Sequence, residues 1–136
     1  MNSQPYALAA LLSTGQPERL YSGLSVLVSS AADGERCAGL ASFRALDLML
    51  DDDLLQHAAD PESTPSLSWV GRDTFARSLL ELRDTALELD GLSLYACAAS
   101  VETMTFTAAT VEERLDGVMS TPRFLRETSG ARLLFV

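Results

Sequence analysis

A cysteine at the end of an apolar segment is the residue best suited to chemistry in this sequence. Cys97 closes the run 91–97, in which apolar side chains alternate with others after a glycine that can end a preceding helix. This pattern predicts a strand followed by a helix, and the carboxyl ends of strands face the ligand crevice in open α/β sheets. The first turn of that helix would offer unpaired N–H groups to the sulfur and lower its pKa. Cys97 is therefore a candidate nucleophile. The alternative interpretation is that Cys97 is only a small buried hydrophobic residue.

The composition narrows the possible classes of function. The 136 residues carry a formal net charge of −9, and all ten positive side chains are scattered arginines, so nucleic acid is not an expected partner. The absence of lysine removes Schiff-base chemistry and the lysine of a phosphate-binding loop. Two cysteines make no disulfide framework, and no apolar run reaches membrane-spanning length. Because no basic segment precedes the first apolar stretch, we expect no secretory signal, and we predict a single domain over 1–136 in a reducing, cytoplasmic setting.

Strand and helix signals alternate along the chain. The first half of the chain predicts a strand at 6–12, a helix from Pro17 to about Ala32, a strand at 38–43, a helix from 44 to about 50 and a loop at 60–68. The second half predicts a helix that Asp73 caps and Gly91 ends, the strand ending at Cys97, and a short helical or irregular stretch through Met104. A brief helix opened by Thr110 with Glu113, a turn at 116–117, a helix from Thr121 to Gly130 and a buried strand at 132–136 follow. The centre of the first helix, 24–28, fits a strand equally well by propensity. The alternation predicts an α/β fold with a parallel sheet covered on both faces.

Several of these segments together resemble the DsrE-like superfamily of sulfur-relay proteins. The similarity is strongest after Gly91, and the residues that carry it are Leu94-Tyr95-Ala96-Cys97, Ser100, Met104, the segment 111–118 and the closing Leu133-Leu134-Phe135. The N-terminal strand, the loop Ser13-Thr14-Gly15 and the helix after it are also similar to that family. The resemblance covers most of the chain except about 51–72.

This resemblance implies a fold, a chemistry and an assembly. The implied fold is a three-layer α/β/α sandwich with a mainly parallel sheet of about five strands. The implied chemistry is sulfur transfer without metal or organic cofactor, in which Cys97 carries the sulfur as a persulfide between donor and acceptor proteins. The implied assembly is a homo-oligomer or a complex with related subunits.

The loops after the first two strands supply candidate substrate-binding residues. Ser13, Thr14 and Arg44 would lie on the same rim as Cys97, where hydroxyl donors and one guanidinium could stabilise a charged sulfur. The alternatives are ordinary helix capping for Ser13 and Thr14 and a solvated charge for Arg44. Cys37, at the entry to the second strand and thus at the opposite edge from Cys97, is interpreted as a buried structural residue.

The sequence leaves the roles of His57 and Trp69 undecided and allows two alternative functions. His57 follows Asp53 by four residues, which on a helix would make only a weak metal pair, so a solvated helix end is favoured. Trp69 could cover the crevice, anchor a subunit contact or pack in the core. A non-catalytic oligomeric protein that binds a small ligand or serves as a scaffold is the main alternative function. A flavodoxin-like nucleotide binder ranks last, because the first loop offers a single glycine.

Overall fold

The computed structural model describes residues 4–136, which form a five-stranded parallel sheet with helices around it. The strands are β1 (Leu8–Leu12), β2 (Cys37–Ala41), β3 (Leu92–Cys97), β4 (Val118–Met119) and β5 (Arg132–Phe135). The helices are α1 (Pro17–Ala32), α2 (Phe43–Leu50), α3 (Leu54–Ala58), α4 (Trp69–Glu88), α5 (Ala98–Thr103), α6 (Ala108–Glu112) and α7 (Thr121–Glu127). The sheet order is β4-β3-β2-β1-β5 with every neighbouring pair parallel. This architecture confirms the predicted α/β fold.

The first βαβ unit shows how the sequence specifies these elements. Pro17 occupies the first turn of α1, where its missing N–H costs nothing, and Gly34 follows the helix with φ of +91°. Leu20, Leu24 and Leu27 form one fully buried stripe that faces β1 and β2. The helical period therefore decides the conformation of 24–28, and the alternative of a strand there is wrong.

The order of the strands determines how the two faces of the sheet are covered. The chain advances in one direction from β1 through β2 and β3 to β4, so right-handed crossovers place the helices of these connections on one face. The return from β4 to β5 crosses the other face through α7, where Phe124 is fully buried against Ala9, Ala38 and Leu40. Both faces of the sheet are covered, as predicted, but to different extents. One outer layer contains most of the helices, and the other consists essentially of the seven-residue α7.

Two strand predictions need correction. The second strand ends at Ala41 instead of Phe43, and Phe43 opens α2 with a left-handed φ of +46°. The last strand, predicted to be buried, is an edge strand whose Leu133 and Phe135 are 56% and 69% exposed. Their exposure follows from topology, because β5 pairs on one side only and α7 is too short to cover this face.

The helix starts also differ from the predicted caps. Ser68, not Asp73, caps α4, and its hydroxyl accepts the Gly71 N–H at 2.9 Å. Thr107, not Thr110, caps α6, because the Thr107 hydroxyl accepts the N–H of Thr110. Each helix therefore begins a few residues earlier than predicted. Helix α3 and the two-residue β4 were not predicted at all.

Among residues 4–136, no helix combines the length and the apolar character needed to cross a lipid bilayer. Trp69, at the start of α4, is 83% exposed, so the core-packing interpretation of this residue is wrong.

Candidate functional site

Cys97 lies where two neighbouring strands send their chains to opposite faces of the sheet. It is the last residue of β3 and the N-cap of α5, and it pairs in register with Met119 of β4. The chain after β3 turns toward the face packed by most of the helices, whereas the chain after β4 enters α7 on the other face. In open α/β sheets such a divergence at the carboxyl ends of strands creates a crevice in which ligands bind.

The polar surroundings of Cys97 favour its ionised form. Burial has the largest single effect on the pKa of the thiol and raises it. Hydrogen bonding from the backbone N–H groups of Ser100 and Ala99 and from the hydroxyls of Ser100 and Thr121 acts in the opposite direction and outweighs burial. The pKa of Cys97 therefore lies below its ordinary value. The Thr121 Oγ1 lies 3.9 Å from the sulfur.

Ser100 connects the thiol to the start of α2. Its side chain is fully buried, and its Oγ accepts the N–H of Phe43 at 2.9 Å. A serine hydroxyl that accepts one hydrogen bond still has its own proton to donate, and this proton is available to the Cys97 sulfur. The hydrogen bond also holds Phe43 in its left-handed backbone conformation, with half of the phenyl side chain exposed.

The other side of Cys97 is apolar. The residue is only 6% exposed and belongs to a small hydrophobic cluster with Leu40, Met119 and Phe124. The sulfur therefore lies between hydrogen-bond donors at the strand end and hydrocarbon beneath α7. This arrangement combines a polarised thiol with restricted access from solvent.

Cys37, the second free cysteine, has the opposite environment. It lies at the first residue of β2, fully buried, and its thiol donates to the Glu35 carbonyl at 3.7 Å. Burial and the nearby Glu35 carboxylate raise its pKa, while Arg132 lowers it to a smaller extent. Because β2 and β3 are parallel and in register, Cys37 and Cys97 lie at opposite ends of the sheet, as predicted. Five residue steps, or about 16 Å along a strand, exclude a disulfide between them.

The three residues predicted on the rim follow β1 and β2 at the carboxyl edge of the sheet: Ser13 and Thr14 lie in the loop after β1, and Arg44 is the second residue of α2. The Ser13 hydroxyl donates to the Val136 carbonyl at 3.1 Å, and the Thr14 hydroxyl accepts the Gln16 N–H at 3.0 Å. Arg44 lies over the same first loop, where a Cβ added to Gly15 would come within 2.8 Å of the Arg44 Cδ. The structure thus brings Arg44 of α2 against the first loop, whereas the polar partners of the Cys97 sulfur lie in α5 and α7.

A cavity with a volume of about 930 Å³ is lined in part by Arg44. Its lining is strongly acidic, and the carboxylates that line it are Glu18, Asp47, Asp51, Asp52, Asp53 and Glu62. Thr105 and Phe106 also line it. A ligand that enters this cavity would need positive charge to offset the carboxylates.

His57 belongs to this acidic rim. Its imidazole pairs with the Asp51 carboxylate instead of Asp53, and this hydrogen bond together with the charge of Asp51 raises the pKa of His57. Its side chain is 62% exposed, as expected for a solvated helix end. In the part of the chain that the structure describes, no three His, Cys, Asp or Glu side chains are grouped to hold a metal ion.

Sequence reasoning missed two residues that contact the thiol. Ser100 follows Cys97 by three residues, a capping-like spacing that could have marked it as a partner. Thr121 carried a helix-start signal, but its proximity to Cys97 depends on β4, and two residues are too few for a strand pattern to be recognised.

Neither the scan of protein-family models nor the search of curated proteins found a match to this chain.

Proposed function

We propose that this protein accepts and passes on sulfane sulfur through Cys97, the role that its resemblance to DsrE-like sulfur-relay proteins implies. The observation that carries the proposal is the position of Cys97 at the divergence of β3 and β4, beside the donors of Ser100 and Thr121. A thiolate is the nucleophile in sulfur exchange, and these donors favour the thiolate.

The proposed transfer consists of two displacements of the same kind. The Cys97 thiolate attacks the outer sulfur of a donor persulfide; a new S–S bond forms on Cys97, the donor S–S bond breaks, and the donor leaves as a thiolate. An acceptor thiolate then attacks the outer sulfur on Cys97 and regenerates the Cys97 thiolate. Neither step changes the overall count of electrons, so no oxidant or reductant is consumed.

The residues around Cys97 have different roles in this cycle. The hydroxyls of Ser100 and Thr121 stabilise the negative sulfur before attack and after release, because hydrogen bonds to charged groups are stronger than those to neutral ones. Ser13 and Thr14 of the loop after β1 and Arg44 of α2 are proposed to orient the donor or acceptor. The partners are proteins that bear reactive thiols, in a reducing compartment such as the cytoplasm, and assembly into a homo-oligomer is part of this proposal.

The second candidate is a non-catalytic protein that binds a small ligand. Two observations favour it: Cys97 is only 6% exposed, and the cavity of about 930 Å³ is lined by Arg44 and the acidic residues but not by Cys97. In that case the ligand would carry positive charge, and Cys97 would be a structural residue of the cluster around Phe124.

Intact mass spectrometry separates these candidates. The reduced protein is incubated with a persulfide donor and weighed, with Cys97→Ser and Cys37→Ser measured in parallel. Sulfur transfer predicts that the wild type and Cys37→Ser gain the mass of one sulfur atom, that Cys97→Ser gains none, and that an acceptor thiol removes the added mass. Loading of Cys97→Ser, or no loading of the wild type, would refute the assignment.

A further inference from the structure

The two edges of the sheet are protected very differently. One edge is β4, which has two residues and therefore offers little backbone for pairing. The other edge is β5, with the sequence Arg132-Leu133-Leu134-Phe135 and no described strand beyond it. Natural edge strands are usually shortened, bulged or supplied with proline or inward charge. Strand β5 has four residues in unbroken register with β1, no proline and one charge, at Arg132, so its free edge is suited to pairing.

The hydrogen bonds to β1 show which backbone groups of β5 are free to pair. The N–H of Arg132 donates to Ala7, the N–H of Val136 donates to Leu11, and the Val136 carbonyl accepts from Ser13. In a strand these directions alternate from residue to residue, so the N–H and C=O of Leu133 and Phe135 point away from the sheet. The outward N–H and C=O groups of Leu133 and Phe135 are complementary to the same groups of a second β5 that runs antiparallel to the first.

The side chains of the same two residues form an apolar strip. Leu133 pairs with Ala9 and Phe135 with Leu11, so both lie on the face that only α7 covers. They are among the most exposed large hydrophobic residues described in the chain. Exposed apolar side chains beside a free strand edge are the pattern of strand-addition interfaces, in which the backbone supplies hydrogen bonds and the side chains supply specificity.

We propose that two copies of this chain pair through β5 about a two-fold axis, with antiparallel strands centred on Leu134, to form one continuous ten-stranded sheet. In this register Leu133 of each copy hydrogen-bonds to Phe135 of the other, which gives four interstrand hydrogen bonds and two Leu133–Phe135 side-chain contacts. A two-fold axis is the usual symmetry of such a self-complementary surface.

Arg132 lies opposite Val136 of the second copy in this register, beside a shallow depression that Val136 lines together with Glu18 and Arg19 of α1. A second copy satisfies the outward backbone groups of Leu133 and Phe135 on both strands and covers both apolar side chains, which is why it is the occupant that the observations favour. This dimer does not depend on sulfur transfer, since neither Cys97 nor its partners lie at the edge.

Site-specific crosslinking tests the register, with circular dichroism to confirm that each variant is folded. In the proposed dimer the two Leu134 residues form a non-hydrogen-bonded pair with Cα atoms about 4.5 Å apart, within the range for a disulfide. Leu134→Cys should therefore form a crosslinked dimer on mild oxidation. Leu133→Cys is the matched control, because its two copies are more than about 8 Å apart in this register. Crosslinking of Leu133→Cys but not of Leu134→Cys would overturn the register.

Light scattering after size-exclusion chromatography tests the dimer itself. The wild type should have twice the 14.6 kDa mass of the chain. Leu133→Glu would bury a carboxylate against Phe135, so the dissociation constant should rise by at least about tenfold. Leu55→Glu, at an exposed leucine of α3 far from β5, should leave it unchanged. A monomeric wild type, or equal dissociation constants for Leu133→Glu and the wild type, would overturn the proposal.

Discussion

Replacement of Ser100 by alanine separates the structural role of its hydroxyl from its effect on the thiol. The hydroxyl accepts the Phe43 N–H at 2.9 Å and acts as a donor to Cys97, and the residue is fully buried. Ser100→Ala removes both interactions while it changes the volume of the side chain by only one oxygen atom. We therefore expect two measurable effects, one on stability and one on reactivity.

The size of each effect follows from the group left behind. The Phe43 N–H loses its partner in a part-buried position, which costs about 1–3 kcal/mol of unfolding free energy. Loss of one hydrogen bond to a charged sulfur costs about 1.5 kcal/mol. That energy corresponds to roughly tenfold less thiolate at neutral pH. Because a thiolate of higher pKa is intrinsically more nucleophilic, alkylation of Cys97 should slow by a smaller factor, about threefold.

The assay pairs urea unfolding with the rate of Cys97 alkylation at pH 7, read by peptide mapping. Thr64→Ala is the matched control for stability, because Thr64 is also fully buried and its hydroxyl accepts the Arg72 Nε at 2.9 Å. This control should lose a similar unfolding free energy and keep the alkylation rate of the wild type. If Ser100→Ala and Thr64→Ala alter alkylation equally, the hydroxyl of Ser100 does not tune the thiol and the reasoning is refuted.

Two further predictions concern the stability of the fold. Folding lowers the pKa of Cys97, so ionisation of this thiol contributes to the unfolding free energy. The contribution is fully present above the pKa of the unfolded thiol, and it is lost as the pH falls through the pKa of the folded thiol. The unfolding free energy of the wild type minus that of Cys97→Ser should therefore increase as the pH rises toward about 8.5. Folding raises the pKa of Cys37, so the unfolding free energy of the wild type minus that of Cys37→Ser should decrease as the pH rises above that value. Urea midpoints measured from neutral pH to above about 8.5 test both signs. Arg83→Ala should cost about 2–4 kcal/mol, because the buried guanidinium donates to the Leu48 carbonyl at 3.0 Å and to the Asp51 carbonyl at 2.6 Å; a loss below about 1 kcal/mol in urea unfolding would contradict this.

Periodicity predicted the elements that bury a regular stripe or an alternating face. Helix α1 was predicted with its observed bounds, Pro17–Ala32, since its leucines recur at helical spacing between a proline and a glycine. Strand β3 alternates and was predicted to end at Cys97, as observed. These features depend on residues close together in sequence, which is why the sequence alone reveals them.

Features that depend on distant parts of the chain could not be predicted in the same way. The exposure of Leu133 and Phe135 results from the return of the chain across one face through the short α7, although the local sequence is typical of a buried strand. The contact of Thr121 with Cys97 likewise requires the pairing of β4 with β3. The general location of the candidate site was thus predictable from strand ends, whereas the partners of the sulfur were not.

The pH dependence of Cys97 alkylation in the folded wild-type protein measures whether this thiol is both easily ionised and reachable. If its hydrogen-bond donors stabilise the thiolate, Cys97 is labelled ahead of Cys37, with a midpoint below the value of about 8.5 for an ordinary thiol. A midpoint at or above that value, or labelling of Cys97 only after the protein unfolds, would contradict this prediction.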